Sequence, residues 1–91
     1  MAHSLSARKR VRQNRKRHLI NRTRRGRVSA GIKSFMQAID SNDPEAAEQK
    51  YRQVVKRLDQ VSATGTIHKR TAARKKSRLA RRLNNLKAQN A

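Results

Sequence analysis

The side chains best equipped for chemistry in this chain are guanidinium and ammonium groups set close together. Residues 8–27 read RKRVRQNRKRHLINRTRRGR, and residues 69–82 read KRTAARKKSRLARR. Arginine outnumbers lysine by 16 to 9. Its planar fork of donors suits bidentate contact with phosphate and stacking on exposed bases better than a compact ammonium does. In the first run Arg12, Arg15, Arg17 and Arg25 are candidate phosphate ligands. In the second, a helix drawn at about 100° per residue puts Arg70, Arg74 and Arg81 on one side and Arg78 on its flank, opposite Ala72, Leu79, Leu83 and Leu86.

Other chemistries lack their parts. His3, His18 and His68 are far apart in sequence, and no cysteine or carboxylate stands at ligand spacing from them, so no metal and no cofactor is expected. Serine and histidine occur without a nucleophile elbow or a Gly-rich phosphate loop. Glu45 and Glu48 match the positive start of a helix and do not form an acid–base pair. The chain is therefore not expected to be an enzyme. Phe35 and Tyr51 are the whole aromatic content, and both fall on apolar helix stripes, which argues against base stacking on aromatic platforms. Zinc-finger spacing, helix-turn-helix length and a zipper register are also missing, so readout of DNA base edges has little support. The formal glycosylation sequon Asn21-Arg22-Thr23 has no secretory context.

Apolar periodicity shows what must position the cations. Val28, Ile32, Phe35, Met36 and Ile39 make one amphipathic stripe. Ala47, Tyr51, Val54, Val55, Leu58 and Val61 make a second, and Ala72, Leu79, Leu83 and Leu86 a third. No stretch alternates with period two, so no strand is expected. Asp43 is placed to cap a helix that starts at Pro44, and Gly65 can take the left-handed conformation that ends it. The third helix then runs from about Ile67 to Ala88, with Ile67 packing sideways as a plug and His68 on the inner face. If the basic run continues the first stripe, one helix spans about Ser6 to Ile39, roughly 50 Å at ~1.5 Å per residue. The expected fold class is all-α: a three-helix bundle with a long, basic, N-terminally extended first helix, forming one domain over residues 1–91.

Charge and size then bound the function. Lys and Arg number 25 against 5 acids, giving a formal net charge of +20 on 91 residues. Residues 1–37 hold twelve cations and no acid, 38–61 four cations and all five acids, and 62–91 nine cations and no acid. Two basic arms thus flank a near-neutral middle, and a polyanion is expected against the first and last thirds. The chain is too short to bury a large core, so binding is expected to supply part of the fold. Residues 1 to about 25, cationic on every side, are expected to fray in the free protein and to order on the partner, with Gly26 and Gly31 marking where fraying starts. No stretch is long and apolar enough for a membrane span, and the apolar face upstream is too sparse for a mitochondrial presequence, so a soluble, unsecreted protein is expected.

The segment Gly65 to Leu83, GTIHKRTAARKKSRLARRL, closely resembles the family of bacterial small-subunit ribosomal protein number twenty. That family's hallmark is Gly-x-Ile-His-Lys-Asn-x-Ala-Ala-Arg-x-Lys-Ser-Arg-Leu, and this chain departs from it at Arg70, where Asn is usual. The opening Ser6-Ala7-Arg8-Lys9-Arg10-Val11-Arg12-Gln13, the pair Asn21-Arg22 and the acidic turn extend the likeness over nearly the whole chain. The resemblance implies a three-helix bundle bound directly to small-subunit ribosomal RNA at the bottom of the body. It implies contacts with the five-prime domain and the long penultimate helix, and an early role in assembly on cytoplasmic ribosomes. By residue it carries over Ser6, Arg8, Lys9, Arg10, Asn21 and Arg22 from the first helix, and His68, Lys69, Arg74, Lys76, Ser77 and Arg78 from the third. Arg70 would exchange an amide contact for a phosphate contact, and His68 could touch RNA or brace the turn.

The expected function is that of a structural constituent of the small ribosomal subunit that binds 16S-type ribosomal RNA and bridges its segments. The alternative is a nucleoid-type protein that binds DNA without sequence preference, and a free-standing RNA chaperone is a third reading. The unequal arms and the ordered bundle weigh against the DNA reading.

Overall fold

A computed structural model describes residues 4–90, so His3 and the first three residues of the expected frayed arm lie outside the described range. The chain forms α1 (Leu5–Asp40), α2 (Pro44–Ala63) and α3 (Lys69–Gln89), and no strand occurs among the described residues. The all-α expectation and its helix boundaries agree with this to within two residues at each end. Successive short turns make the helices antiparallel, with α2 in the middle packing against both neighbours.

Each helix starts on a side-chain cap. Ser4 Oγ accepts from the Ala7 N–H at 3.1 Å, and Asp43 Oδ1 accepts from Ala46 at 3.2 Å, with Pro44 at the first helical position. The two inner helix ends share one design. After α1 the N–H of Asn42 donates to Ile39 O at 3.0 Å and that of Asp43 to Ala38 O at 3.3 Å. After α2 the N–H of Gly65 donates to Ser62 O at 3.2 Å and that of Thr66 to Val61 O at 3.0 Å. Both are Schellman closures, which need a left-handed residue, supplied by Asn42 at φ 57° and Gly65 at φ 77°. Gly65 was legible in the sequence; Asn42 takes the same role because asparagine tolerates that region.

The core holds Val28, Phe35 and Ala38 of α1, Ala47, Val54, Leu58 and Val61 of α2, and Ala72, Leu79, Leu83 and Leu86 of α3. Ile32, Met36, Ile39, Tyr51 and Ile67 pack half-buried against it, with the rings of Phe35 and Tyr51 6.2 Å apart. Both aromatic residues are thus structural, and Ile67 plugs the turn as its position suggested. Val55, read as part of the second stripe, stays outside the core, and Ala38 enters it. Gly31 lets the backbones approach: a Cβ there would stand 3.2 Å from Val54 Cγ2.

The third helix begins two residues later than its periodicity suggested. His68 is exposed and lies outside the helix as its N-cap, where Nδ1 accepts from the Arg70 N–H at 3.1 Å. The inner-face placement of His68 is corrected accordingly, because a wheel applies only where the backbone is helical.

α1 is unbroken for 36 residues, about 54 Å at ~1.5 Å per residue. It sets the long axis of a molecule measuring 65 × 22 × 16 Å. Its first buried residue is Val28, so the upstream half stands out beyond the bundle. Leu5 and Leu19 on that arm are 82% and 63% exposed.

Candidate nucleic-acid interface

Three local devices place the cations. The first is the tie between the α2–α3 turn and α1. Thr66 Oγ1 donates to Asn21 Oδ1 at 3.0 Å, and Thr64 Oγ1 lies 3.0 Å from Thr66 Oγ1. Asn21 also accepts from Arg24 Nη1 at 3.5 Å. The turn therefore sits beside the point where the arm of α1 leaves the bundle, and the first turn of α3 starts there too. Two cationic segments remote in sequence meet at one end of the molecule.

The second device is the latch between α2 and α3. Lys76 Nζ lies 2.7 Å from Asp59 Oδ1, and Lys87 Nζ lies 3.2 Å from Glu48 Oε1, which also meets Arg52 at 3.4 Å. These pairs lie along the α2–α3 seam, beside the buried Ala72, Leu79, Leu83 and Leu86. The Lys87 ammonium, by hydrogen bond and charge, is the main cause that holds the Glu48 carboxyl below its ordinary range, with Arg52 adding to the effect. The third device is the Asn90 amide, which donates to Asn42 Oδ1 at 3.0 Å and so ties the end of α3 to the α1–α2 turn.

On this frame Ser6, Arg8, Lys9, Arg10, Arg12, Arg15, Arg17, Arg22 and Arg25 are all exposed along α1. Lys69, Arg70, Arg74, Ser77, Arg78 and Arg81 are exposed along α3, and Arg70, Arg74, Ser77 and Arg81 form the ridge opposite the buried stripe. Among the described residues none of the cations in these two sets is in an ion pair. Their donors are free for an external anion, and each phosphate neutralised releases counterions.

Three of the residues carried over from the resemblance have internal partners. Asn21 is half-buried and holds the turn, Lys76 is half-buried on Asp59, and His68 caps α3. Each of these internal contacts helps hold the frame on which the free cations stand. The candidate site residues read from the sequence do not include Arg24 and Arg27 of α1 or Lys56 and Arg57 of α2, which line one groove. Their shared signal was the spacing of Gln53, Lys56, Arg57 and Gln60 along one face of α2.

No group of three or more possible metal ligands occurs among the described residues, and none of the helices is long and apolar enough to cross a membrane. What the surface offers is an array of exposed guanidinium and ammonium groups on two helices held at a fixed angle by a third.

Comparison with known proteins accords with this architecture. The family model described as ribosomal protein S20 matches residues 2–84. A relative from Coxiella burnetii, named small ribosomal subunit protein bS20, is 41% identical over 86 residues, covering 94% of this chain and 96% of the relative. The protein of that name from Rhodopirellula baltica is 43% identical over 79 residues, covering 87% and 88% of the two chains. That from Halalkalibacterium halodurans is 42% identical over 83 residues, covering 91% of each. With identity of this level along nearly its full length, and with the hallmark segment on the turn and ridge of α3, the chain belongs to the ribosomal protein S20 family, whose members are structural and not enzymatic.

Proposed function

We propose that this chain is a structural constituent of the small ribosomal subunit, resident on cytoplasmic ribosomes, that binds 16S-type ribosomal RNA directly and bridges RNA segments during assembly. The observation that carries the reading is the pair of exposed cationic helices, α1 and α3, free of internal ion partners along their outer faces and held at a fixed angle by α2. The names of the relatives supply the ribosome as the setting. In this mechanism Arg8, Lys9, Arg10, Arg12, Arg15, Arg17, Arg22 and Arg25 neutralise phosphates along one RNA segment. Lys69, Arg70, Arg74, Arg78 and Arg81 do so on another, with Ser6 and Ser77 as neutral donors. The five-prime domain and the penultimate helix are the two segments that the family resemblance implies. Phosphate contacts carry no base identity, so selectivity comes from the fixed angle between the helices and the shape of the folded RNA. The arm of α1 from Leu5 to about Arg25 gains its order from the RNA, because none of its residues is buried in the core.

The experiment is equilibrium binding to the five-prime domain of small-subunit ribosomal RNA, to an unrelated structured RNA and to duplex DNA across a salt series. Neutralising about 6 to 10 phosphates lowers affinity by roughly 10³ to 10⁵ on duplex DNA between about 50 and 200 mM salt. The expected result is a ribosomal fragment that keeps its advantage as salt rises. Equal affinities that collapse together would instead support the nucleoid-type DNA reading.

A further inference from the structure

The charge of α2 is sorted by face in a way its near-zero total conceals. Two of its three acids, Glu48 and Asp59, are engaged toward α3, by Lys87 and Lys76, and Glu45 lies in its first turn, away from the face described next. Its face toward the outer side of α1 carries Gln53, Lys56, Arg57 and Gln60, which together with Arg24 and Arg27 line a groove between the two helices of about 560 Å³. No carboxylate lines this groove. Arg57 Nη1 donates to the Arg27 carbonyl at 3.3 Å and Arg24 is steadied by Asn21 at 3.5 Å, so two of the four guanidinium and ammonium groups are held in place before any ligand arrives. Four cations gathered without a counter-charge repel one another, and an anion relieves that cost. The two glutamines add neutral donors, the mixture that lines phosphate and sugar contacts.

We propose that the α1–α2 groove seats the sugar-phosphate backbone of a third RNA strand, distinct from those met by the arm of α1 and by the ridge of α3. The site rests on the reading of the chain as a ribosomal RNA binder, and it makes α2 a contact element as well as a spacer. The groove is open to solvent along one side, which admits a continuous strand.

The test uses the full chain and the five-prime-domain RNA. Arg27 and Lys56 are exposed, and their side chains have no hydrogen-bond partner among the described residues. Arg27→Gln with Lys56→Gln therefore removes two charges while leaving the Arg57 tie and the helicity in place, the latter checked by circular dichroism. The expected result is a slope of log affinity on log salt shallower by about 1.4 to 1.8, the change that follows when two phosphates are no longer neutralised. Because the chain has no cysteine, Gln60→Cys also allows a tethered cleavage reagent. It is expected to cut an RNA segment that the same reagent on Ser77→Cys does not cut. An unchanged slope, or cleavage from position 60 only at the segment cut from position 77, overturns the groove proposal. The wild-type preference for ribosomal RNA over duplex DNA is read in the same series. Its loss would sink the ribosomal reading, while the slope of the double variant would still decide whether the groove holds phosphate.

Discussion

The imidazole of His68 accepts from the Arg70 N–H and so satisfies one of the four donors that the start of α3 would otherwise leave unpaired. Removing that acceptor should act on stability before it acts on RNA contact. His68→Ala is expected to destabilise the free protein by about 0.5 to 2 kcal/mol in urea unfolding, and His68→Asn, which can cap, to recover most of it. Equal loss in both variants would assign His68 to something other than the cap. Glu48 gives a second residue-scale expectation. Its folded carboxyl titrates below its ordinary range because Lys87 and Arg52 favour the charged form. Its contribution is therefore present at neutral pH and is lost as the pH falls from the ordinary glutamate range through the lowered folded value. Glu48→Gln should flatten that acid limb of the stability profile, and superimposable profiles would show the latch to be silent.

Among the elements, α1 is divided by what supports it. From Val28 to Asp40 its apolar face is in the core, whereas upstream of Asn21 every residue from Arg8 to Ile20 is exposed. An isolated helix segment without packing is marginal in water, and cations on all sides of the arm repel one another. Amide exchange of the free protein should therefore show strong protection from Val28 to Asp40, falling away toward Leu5, and protection should extend along the arm when the ribosomal RNA fragment is added. Unbroken protection from Ser6 to Ile39 without RNA would show that the arm holds itself. The opposite case is α3, whose four buried side chains fix its rotation along its length, with two ion pairs to α2 beside them. One helix is thus suited to adapt to RNA and the other to present a preset ridge.

At the scale of the whole molecule the governing quantity is a net charge of +20 on a body 65 × 22 × 16 Å. Asp40, Asp43, Glu45 and Glu48 gather around the α1–α2 turn, while the arm and the start of α3 carry cations at the other end. The charge distribution is therefore polarised along the long axis and would orient the protein on a polyanion. Self-repulsion lowers the stability of the free chain, and salt screens it. The unfolding midpoint of the free protein should rise between about 20 and about 200 mM salt, while affinity for RNA falls over the same range. A midpoint that falls with salt would mean that the exposed ion pairs outweigh the repulsion among the cations.

The sequence by itself determined the helices and the class of partner. Both are encoded locally: three apolar stripes at helical spacing, Asp43-Pro44 as a start, Gly65 as a stop, and cations so dense that any fold exposes them. It also carried the family, through the segment from Gly65 to Leu83. Only the tertiary structure decided which polar residues hold the frame. Asn21 and Thr66 are 45 residues apart and Lys76 and Asp59 are 17 apart, and neither pairing has a periodic signature. His68 lay beyond the reach of a helical wheel for a related reason, since the cap ends the geometry on which the wheel depends. The cationic groove was hidden most completely. A charge count sums along the chain, and in α2 two of the three acids that offset the cations, Glu48 and Asp59, face α3 while Lys56 and Arg57 face the groove with α1. Charge summed over a segment fixes attraction at long range, but a binding surface is set by the direction each side chain takes once the helices are packed.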